Sequence, residues 1–386
     1  MIRSNNIKVC HVITSLGVGG AEYMLKRLLN QQAVDKSLIT VISLMELGKI
    51  GQQLREMGYS VHTLEMKNAF GFFRVLFTLM NLLRQVKPDV LQTWMYHADL
   101  LGGIAGYLAG YRRIIWSIHC TRVPAGRPMT AVVMKICAWL SAVLPSKILC
   151  VAEAARKNHI RYGYNASRMV VVPNGFDVPE QFKSGNSPKQ ILTGVQFDGK
   201  YIVGCVGRFH IDKGQDLLLQ AAAEVITQRP DIVFVLAGNQ VDAGNTALTQ
   251  LIARFGLQNH VFMLGERDDV PSLLPEFDIY CMPSRTEAFP VALGEAMLAG
   301  LPCVATRVGD CEVLGGDLVH FVDAGDVSAL AKALLEMAGI PDAQRLQLGH
   351  AGRERVRQLF SIASISEKYL ALYAEVLQSN QQSNAP

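Results

Sequence analysis

Short apolar runs alternate with amphipathic helical stretches along most of the 386 residues, in two separate series. Strand-length apolar runs separated by helix-length segments predict βα units, and βα units predict parallel sheets covered by helices. In the first series the predicted strands are 7–13, 37–44, 60–65, 89–93, 113–118, 147–151 and 169–172, with helices such as 21–32 and 98–109 between them. Residues 173–200 break the pattern, because they are rich in Pro, Gly, Asn and Ser and carry no period. The second series has strands at 201–206, 231–236, 260–264, 277–281, 302–305 and 318–322, and helices at 214–228, 245–255, 290–299 and 326–338. The expected fold class is α/β, with two doubly wound Rossmann-like domains at 1–175 and 201–362 and a linker at 176–200. A C-terminal helix within 363–386, expected to pack back on the first domain, ends in a polar, frayed tail. Ligands of such sheets bind outside the carboxyl ends of the strands, so two domains facing across a cleft place the site in that cleft.

Half of the residues are apolar and 18% are charged, which excludes a disordered chain. The net charge of +4 hides an asymmetry. Positions 1–180 hold 21 basic and 10 acidic residues, which leaves 16 of the 37 basic and 23 of the 33 acidic residues to the rest. A basic first half points to an anionic surface as partner. A nucleic-acid partner is not expected, since the cations are not interleaved with aromatics in any nucleic-acid motif. None of the eight cysteines forms a Cys-x-x-Cys pair and most sit in apolar runs, so neither a zinc site nor a disulfide framework is expected. The N-terminus carries no export signal, and a cytoplasmic location follows as the expectation.

Two apolar segments, 69–83 and 129–145, raise the question of a membrane. Arg74 interrupts the first, Lys135 the second, and both are shorter than the ~20 residues that span a bilayer. They read as helices buried on one side, or with one of them lying on a membrane surface and the cations from Arg74 to Lys135 drawn to anionic lipid.

Three loops could carry chemistry. Gly17, Gly19 and Gly20 follow the first strand and open a helix, where backbone N–H groups can approach an anion. A dinucleotide fingerprint would need a third glycine where Glu22 stands, so that reading is weak. Arg208 and Lys213, in GRFHIDKG, flank the turn after the strand 201–206. A guanidinium fork and an ammonium point charge at a helix start can hold a diphosphate without a metal ion. In SRTEAFPVALGEAM, Glu287 lies on the loop and Glu295 on the following helix, eight positions on. The loop carboxylate can accept hydrogen bonds from sugar hydroxyls, the helical one can reach a ribose diol, and the N–H groups near Phe289 and Val291 can face phosphates. No Asp-x-Asp occurs, so the motif that holds a divalent ion on a diphosphate is missing.

GRFHIDKG, LAGN at 236–239, FMLGERDDV at 262–270 and SRTEAFPVALGEAMLAGLPCVAT resemble the carboxy-terminal half of the family-4 retaining glycosyltransferases of GT-B fold, whose signature is the E-x7-E pair. The glycine-rich first loop, PDVLQTWMYHADLLGG and VVVPNGFD are similar to the amino-terminal half. The resemblance implies a second domain that binds a nucleotide-diphosphate-sugar, a uridine base, and a first domain that binds the acceptor. It implies that Arg208 and Lys213 bind the donor diphosphate, that Glu287 contacts the donor sugar and Glu295 the ribose, and that the main chain from Met263 to Gly265, with Arg267, edges the base. Gly17 and Gly19 would line the phosphate and acceptor side. His119, after a clean strand, is similar to the histidine that faces the donor sugar, with His97 the competing choice. It also implies retention by front-face attack, the leaving phosphate helping to deprotonate the acceptor hydroxyl.

The expected function is therefore a metal-independent, retaining hexosyltransferase without a cofactor. It would act with a saccharide acceptor, expected to be lipid-linked, in lipopolysaccharide, capsule or other surface-polysaccharide synthesis, peripheral on the cytoplasmic face of the membrane. A nucleotide-sugar epimerase on the same scaffold, and an inactive sugar-nucleotide-binding subunit, are the alternatives. The E-x7-E pair argues against the first, and the joint presence of Arg208, Lys213, Glu287 and Glu295 against the second.

Overall fold

The computed structural model describes residues 7–31, 35–66, 71–123, 127–178, 192 and 197–382. Of the expected linker, 179–191 and 193–196 lie outside the described residues, as do 383–386 of the tail. Backbone packing divides the chain into two units. One ends at Asp177 and takes in the residues from Ile362 onward, and the other runs from Val178 to Ser361.

The first unit is built on seven parallel strands: β1 Val9–Ile13, β2 Ile39–Ser43, β3 Ser60–Thr63, β4 Val90–Trp94, β5 Ile114–Ile118, β6 Lys147–Cys150 and β7 Met169–Val171. Their order across the sheet is β3-β2-β1-β4-β5-β6-β7. The four strands β1, β2, β4 and β5 are buried throughout, the mark of a parallel sheet covered on both faces. Six helices connect them: α1 Gly20–Gln31, α2 Gly48–Glu56, α3 Phe72–Val86, α4 Tyr96–Leu108, α5 Pro128–Leu140 and α6 Glu153–Arg161. Helix α3 turns Val75, Leu76, Leu79, Met80 and Leu83 inward, the i, i+4 stripe that makes a core helix out of the apolar segment flagged in the sequence. Helices α3, α4 and α5 pack side by side.

The second unit has six parallel strands: β8 Tyr201–Val206, β9 Ile232–Ala237, β10 Val261–Met263, β11 Ile279–Met282, β12 Cys303–Thr306 and β13 Val319–Val322. They are ordered β10-β9-β8-β11-β12-β13. Between and after them come α7 Gln215–Gln228, α8 Thr246–Arg254, α9 Val270–Leu273, α10 Val291–Ala299, α11 Cys311–Gly315, α12 Val327–Gly339 and α13 Asp342–Phe360. Phe234, Leu218, Leu236, Ile279 and Leu334 are fully or almost fully buried in its core.

The last helix, α14 Ile362–Gln382, belongs to the first unit. It packs against α1 and the face of β4. Tyr369 and Tyr373 are buried there, and the Tyr373 hydroxyl donates to the side-chain oxygen of Gln92. Gln92 in turn donates to Ser117 Oγ at 2.8 Å, so these three polar groups inside the fold are paired. Among the described residues no helix is long and apolar enough to cross a membrane.

Candidate functional site

In each sheet the strand order reverses direction once, between β1 and β4 in the first unit and between β8 and β11 in the second. Loops leaving the carboxyl ends of two such strands diverge and leave a crevice, where α/β sheets bind ligands. In the second unit these loops carry the residues singled out in the sequence. After β8 the chain passes Gly207 and Arg208, makes a 3-10 turn over Ile211–Lys213, and enters α7. Gly214 joins turn to helix with φ +68°, and a Cβ there would sit 2.0 Å from the carbonyl oxygen of Pro283, just past β11. Only a glycine lets the two loops meet so closely.

That approach brings Lys213 Nζ to 2.7 Å from Glu287 Oε1. Ser284 Oγ donates to the same oxygen at 2.8 Å. The loop bearing Glu287 is tied down on both sides. The Arg285 N–H donates to Asp212 O at 2.7 Å, and its guanidinium grips both Asp216 oxygens at 2.7 and 2.6 Å. Thr306 Oγ1 donates to Ser284 O at 2.5 Å, and Asp310 N–H to Ala288 O at 3.0 Å. Gly309, with φ +57°, lets the turn after β12 touch this loop, since a Cβ there would lie 2.4 Å from Glu287 O. Arg208 is exposed, and its guanidinium makes no hydrogen bond or ion pair among the described residues.

Glu295 stands in the second turn of α10, half-buried. The buried hydroxyl of Tyr280 is pushed well up, by burial first, then by Cys205 and Cys303 and the charges of Glu287 and Glu295, so both carboxylates share its neighbourhood. Phe289 is buried, its ring turned inward against Phe360 with centroids 5.6 Å apart. Val291 is the first residue of α10 and is half-buried. Gly265, expected to edge the base, is fixed in place by its backbone. Its N–H donates to Val241 O and its carbonyl accepts from Gly238 N–H, each at 2.8 Å. Arg267 is gripped by Asp269 through two hydrogen bonds, at 2.7 and 2.5 Å.

In the first unit the glycine loop leads from β1 into α1. Ser15 Oγ donates to Glu22 Oε1 at 2.9 Å, so Glu22 folds back over the loop at Gly19, where a dinucleotide fingerprint would have a glycine. A Cβ on Gly17 or Gly20 would meet nothing within 4 Å, so these two line open space. The loop is braced at Leu16, whose carbonyl accepts from Ile50 N–H at 3.0 Å.

His119 follows β5 and stacks on Trp94, with centroids 4.9 Å apart and planes 23° from parallel. Burial pushes its pKa down to about 3, with the carboxamide of Asn174 opposing weakly, so the ring is neutral at physiological pH. Both ring nitrogens are shielded from solvent, and neither makes a well-formed hydrogen bond to the described residues. His97 is the second residue of α4, half-buried, and its pKa is lowered by burial and then by Arg127. Just before it, Met95 holds φ +73° at the end of β4. A side chain resists that conformation, at a cost of about 1–3 kcal/mol, and such strain collects at functional sites. Sequence reasoning passed over Ser284, Arg285, Asp216, Met95 and Asn174. Ser284 and Arg285 stand in the string SRTEAFP and Asn174 in VVVPNGFD, whereas a strained φ leaves no signal in a Met-Tyr-His string.

Residues 18–180 match the family described as Glycosyltransferase Family 4, and residues 200–339 match the one described as Glycosyl transferases group 1. The chain is 25% identical over 313 residues to the UDP-Gal:alpha-D-GlcNAc-diphosphoundecaprenol alpha-1,3-galactosyltransferase of Escherichia coli, covering 78% of this chain and 79% of that protein. It is 30% identical over 186 residues to the lipopolysaccharide core biosynthesis mannosyltransferase LpsB of Rhizobium meliloti, 46% of this chain and 52% of that one. A crystal structure of Anabaena HepE in complex with UDP superposes with a TM-score of 0.83 at 22% identity, covering 97% of this chain and all of that one, and so has the same fold.

Proposed function

Because the chain belongs to the family-4, group 1 glycosyltransferases, we propose that it moves a sugar from a uridine-diphosphate-sugar to a saccharide acceptor carried on a lipid, with retention and without a metal ion. The observation that carries the reading is the switch point of the second sheet, where Lys213 and Glu287 pair beside an exposed Arg208. Arg208 and Lys213 take the donor diphosphate. As the bond from the sugar to the β-phosphate breaks, charge grows on the leaving oxygens, and two preplaced cations stabilise it more than the ground state. Glu287, held by Lys213 and Ser284, accepts from sugar hydroxyls, and Glu295 meets the ribose. The first-turn N–H groups of α10, near Phe289 and Val291, add a helix N-terminus to the phosphates.

In the first unit, His119 is the histidine that meets the donor sugar, and Gly17, Gly19 and Gly20 line the acceptor side. The neutral state of His119 supports this, because an uncharged ring can donate to or accept from a sugar hydroxyl. Support for the donor and acceptor classes comes from the Escherichia coli relative, named for UDP-Gal and a diphosphoundecaprenol-linked GlcNAc, and from HepE, crystallised with UDP. A role in surface-polysaccharide assembly on the cytoplasmic face of a membrane follows from that acceptor.

A thermal-shift panel of nucleotide-sugars tests the donor. A ligand at 100 times its dissociation constant adds about 2.7 kcal/mol of stability. UDP-sugars should raise the melting temperature and GDP-sugars should not. A panel in which no nucleotide-sugar shifts the transition would sink the reading. Transfer to GlcNAc-diphosphoundecaprenol, against the same disaccharide chemistry on a soluble carrier, tests the acceptor.

A further inference from the structure

Helix α5 is apolar on both sides. Met134, Cys137 and Ala138 face inward. Met129, Val132, Ile136 and Trp139 recur at spacings of three and four and are all exposed, Trp139 to 79%, and Val143, just past the helix, is exposed too. Residues so spaced lie on one face of a helix. A helix that is apolar all round belongs in an interior, and an open apolar face of this size marks an interaction site. On the same side of the sheet, α3 turns Phe73 and Phe77, one turn apart, to solvent.

We infer that the outward face of α5, with Phe73 and Phe77 of α3, docks on an anionic lipid bilayer. The argument for lipid rests on charge. No Asp or Glu occurs between Glu65 and Asp89 or between Asp99 and Glu153, a span that covers both helices. Arg74, Arg84, Arg127 and Lys135 are exposed within it. A second copy seated on this face by two-fold symmetry would set these cations against their own counterparts. Anionic headgroups complement them, at about 1 kcal/mol per Lys or Arg near the surface. An exposed tryptophan amid aliphatic side chains suits the headgroup boundary, and long cationic side chains reach from it into water. Thirteen residues make a helix of ~20 Å, too short to span a bilayer, so α5 lies in its plane with its apolar face ~5–10 Å deep. The sequence offered both apolar segments, 69–83 and 129–145, as a membrane-facing surface, and the structure gives the larger open face to α5 in the second.

The role of this surface rests on the proposed lipid-linked acceptor, which it brings within reach, but its test does not. Trp94 and Trp116 are fully buried, so among the three tryptophans Trp139 is the one that senses the surface. Full-length protein mixed with phosphatidylglycerol-containing vesicles should show a blue-shifted emission and co-sediment, neither should occur with pure phosphatidylcholine vesicles, and salt should reverse both. Val132→Ser with Ile136→Ser should weaken binding by about tenfold or more, since two aliphatic side chains no longer leave water. Melting temperature and stabilisation by UDP-sugar should not change. Co-sedimentation unchanged by the double substitution, no emission shift in the parent, or a dimer that the substitution dissociates would each overturn the docking face. Transfer to the lipid-linked acceptor without an emission shift sinks this face alone, and vesicle docking without such transfer sinks the acceptor alone.

Discussion

Lys213 and Glu287 lie 74 positions apart in the chain yet form an ion pair. A pair of this kind keeps both groups oriented and lets a diphosphate take over the ammonium when it arrives. Lys213→Ala should lower turnover by about 10²–10³, the usual cost of removing one electrostatic stabiliser of a transition state, and Glu295→Ala, which removes a ribose contact, should lower kcat/KM, while the fold persists in both. Unchanged kcat/KM in either purified variant removes that residue from the site. With Arg208 and Lys213 supplying the positive charge, turnover should survive excess EDTA, and abolition that Mg²⁺ restores would end the metal-free proposal. His11 bears on stability instead. It is fully buried, accepts from Trp94 Nε1 at 3.2 Å, and burial pushes its pKa down to about 3. Its folded value lies below its unfolded value near 6.5, so the unfolded chain binds the extra proton and stability falls as pH drops from about 6.5 toward 3. Asp99, whose buried carboxyl is raised well above its ordinary value, titrates with the opposite sign. The difference between His11→Gln and the parent cancels that contribution. Denaturant titrations should show the parent losing about 1.4 kcal/mol per pH unit more than the variant between pH 6 and 4, and parallel curves would disprove the buried neutral histidine.

At the scale of elements, the loop from Ser284 to Pro290 is a small platform bolted to its neighbours. Arg285 fastens it to α7 through Asp216, and Thr306 fastens it to β12. Arg285→Ala should leave Glu287 present but loosely placed, so kcat/KM should fall by about tenfold or more while global stability changes little. A loss of stability without loss of activity would make the pair structural only. Gly309→Ala is the complementary case. The new methyl would meet Glu287 O at a φ of +57°, and denaturation should report a loss of about 1–3 kcal/mol. No loss would mean that the turn does not approach the loop so closely. Helix α5 belongs at this scale too, since its two apolar faces answer to different surroundings.

For the molecule as a whole, the chain closes on its beginning: α14 returns to the unit that starts with β1. Ile365, Tyr369, Tyr373 and Val376 are all buried in that packing. Ending the chain at Phe360 should uncover Trp94 and Gln92 and leave the first unit unstable, read as a loss of soluble yield or as an early melting transition. A truncated chain that melts like the parent would show that α14 adds nothing to the fold. The strands, their parallel pairing and the two-series division were legible in the sequence, because apolar runs buried on both faces leave a periodic mark that needs no distant partner. The motifs at Arg208, Lys213, Glu287 and Glu295 were legible for the same reason, as short strings at strand ends. Beyond the reach of the sequence were the pairing of Lys213 with Glu287, the commitment of Gly265's polar groups to the 238–241 loop, the strain at Met95 and the open face of α5. Each depends on which groups folding brings together from far along the chain. Hydrogen-bond partners, crowding and exposure are properties of neighbours in space, and only the tertiary structure decides them.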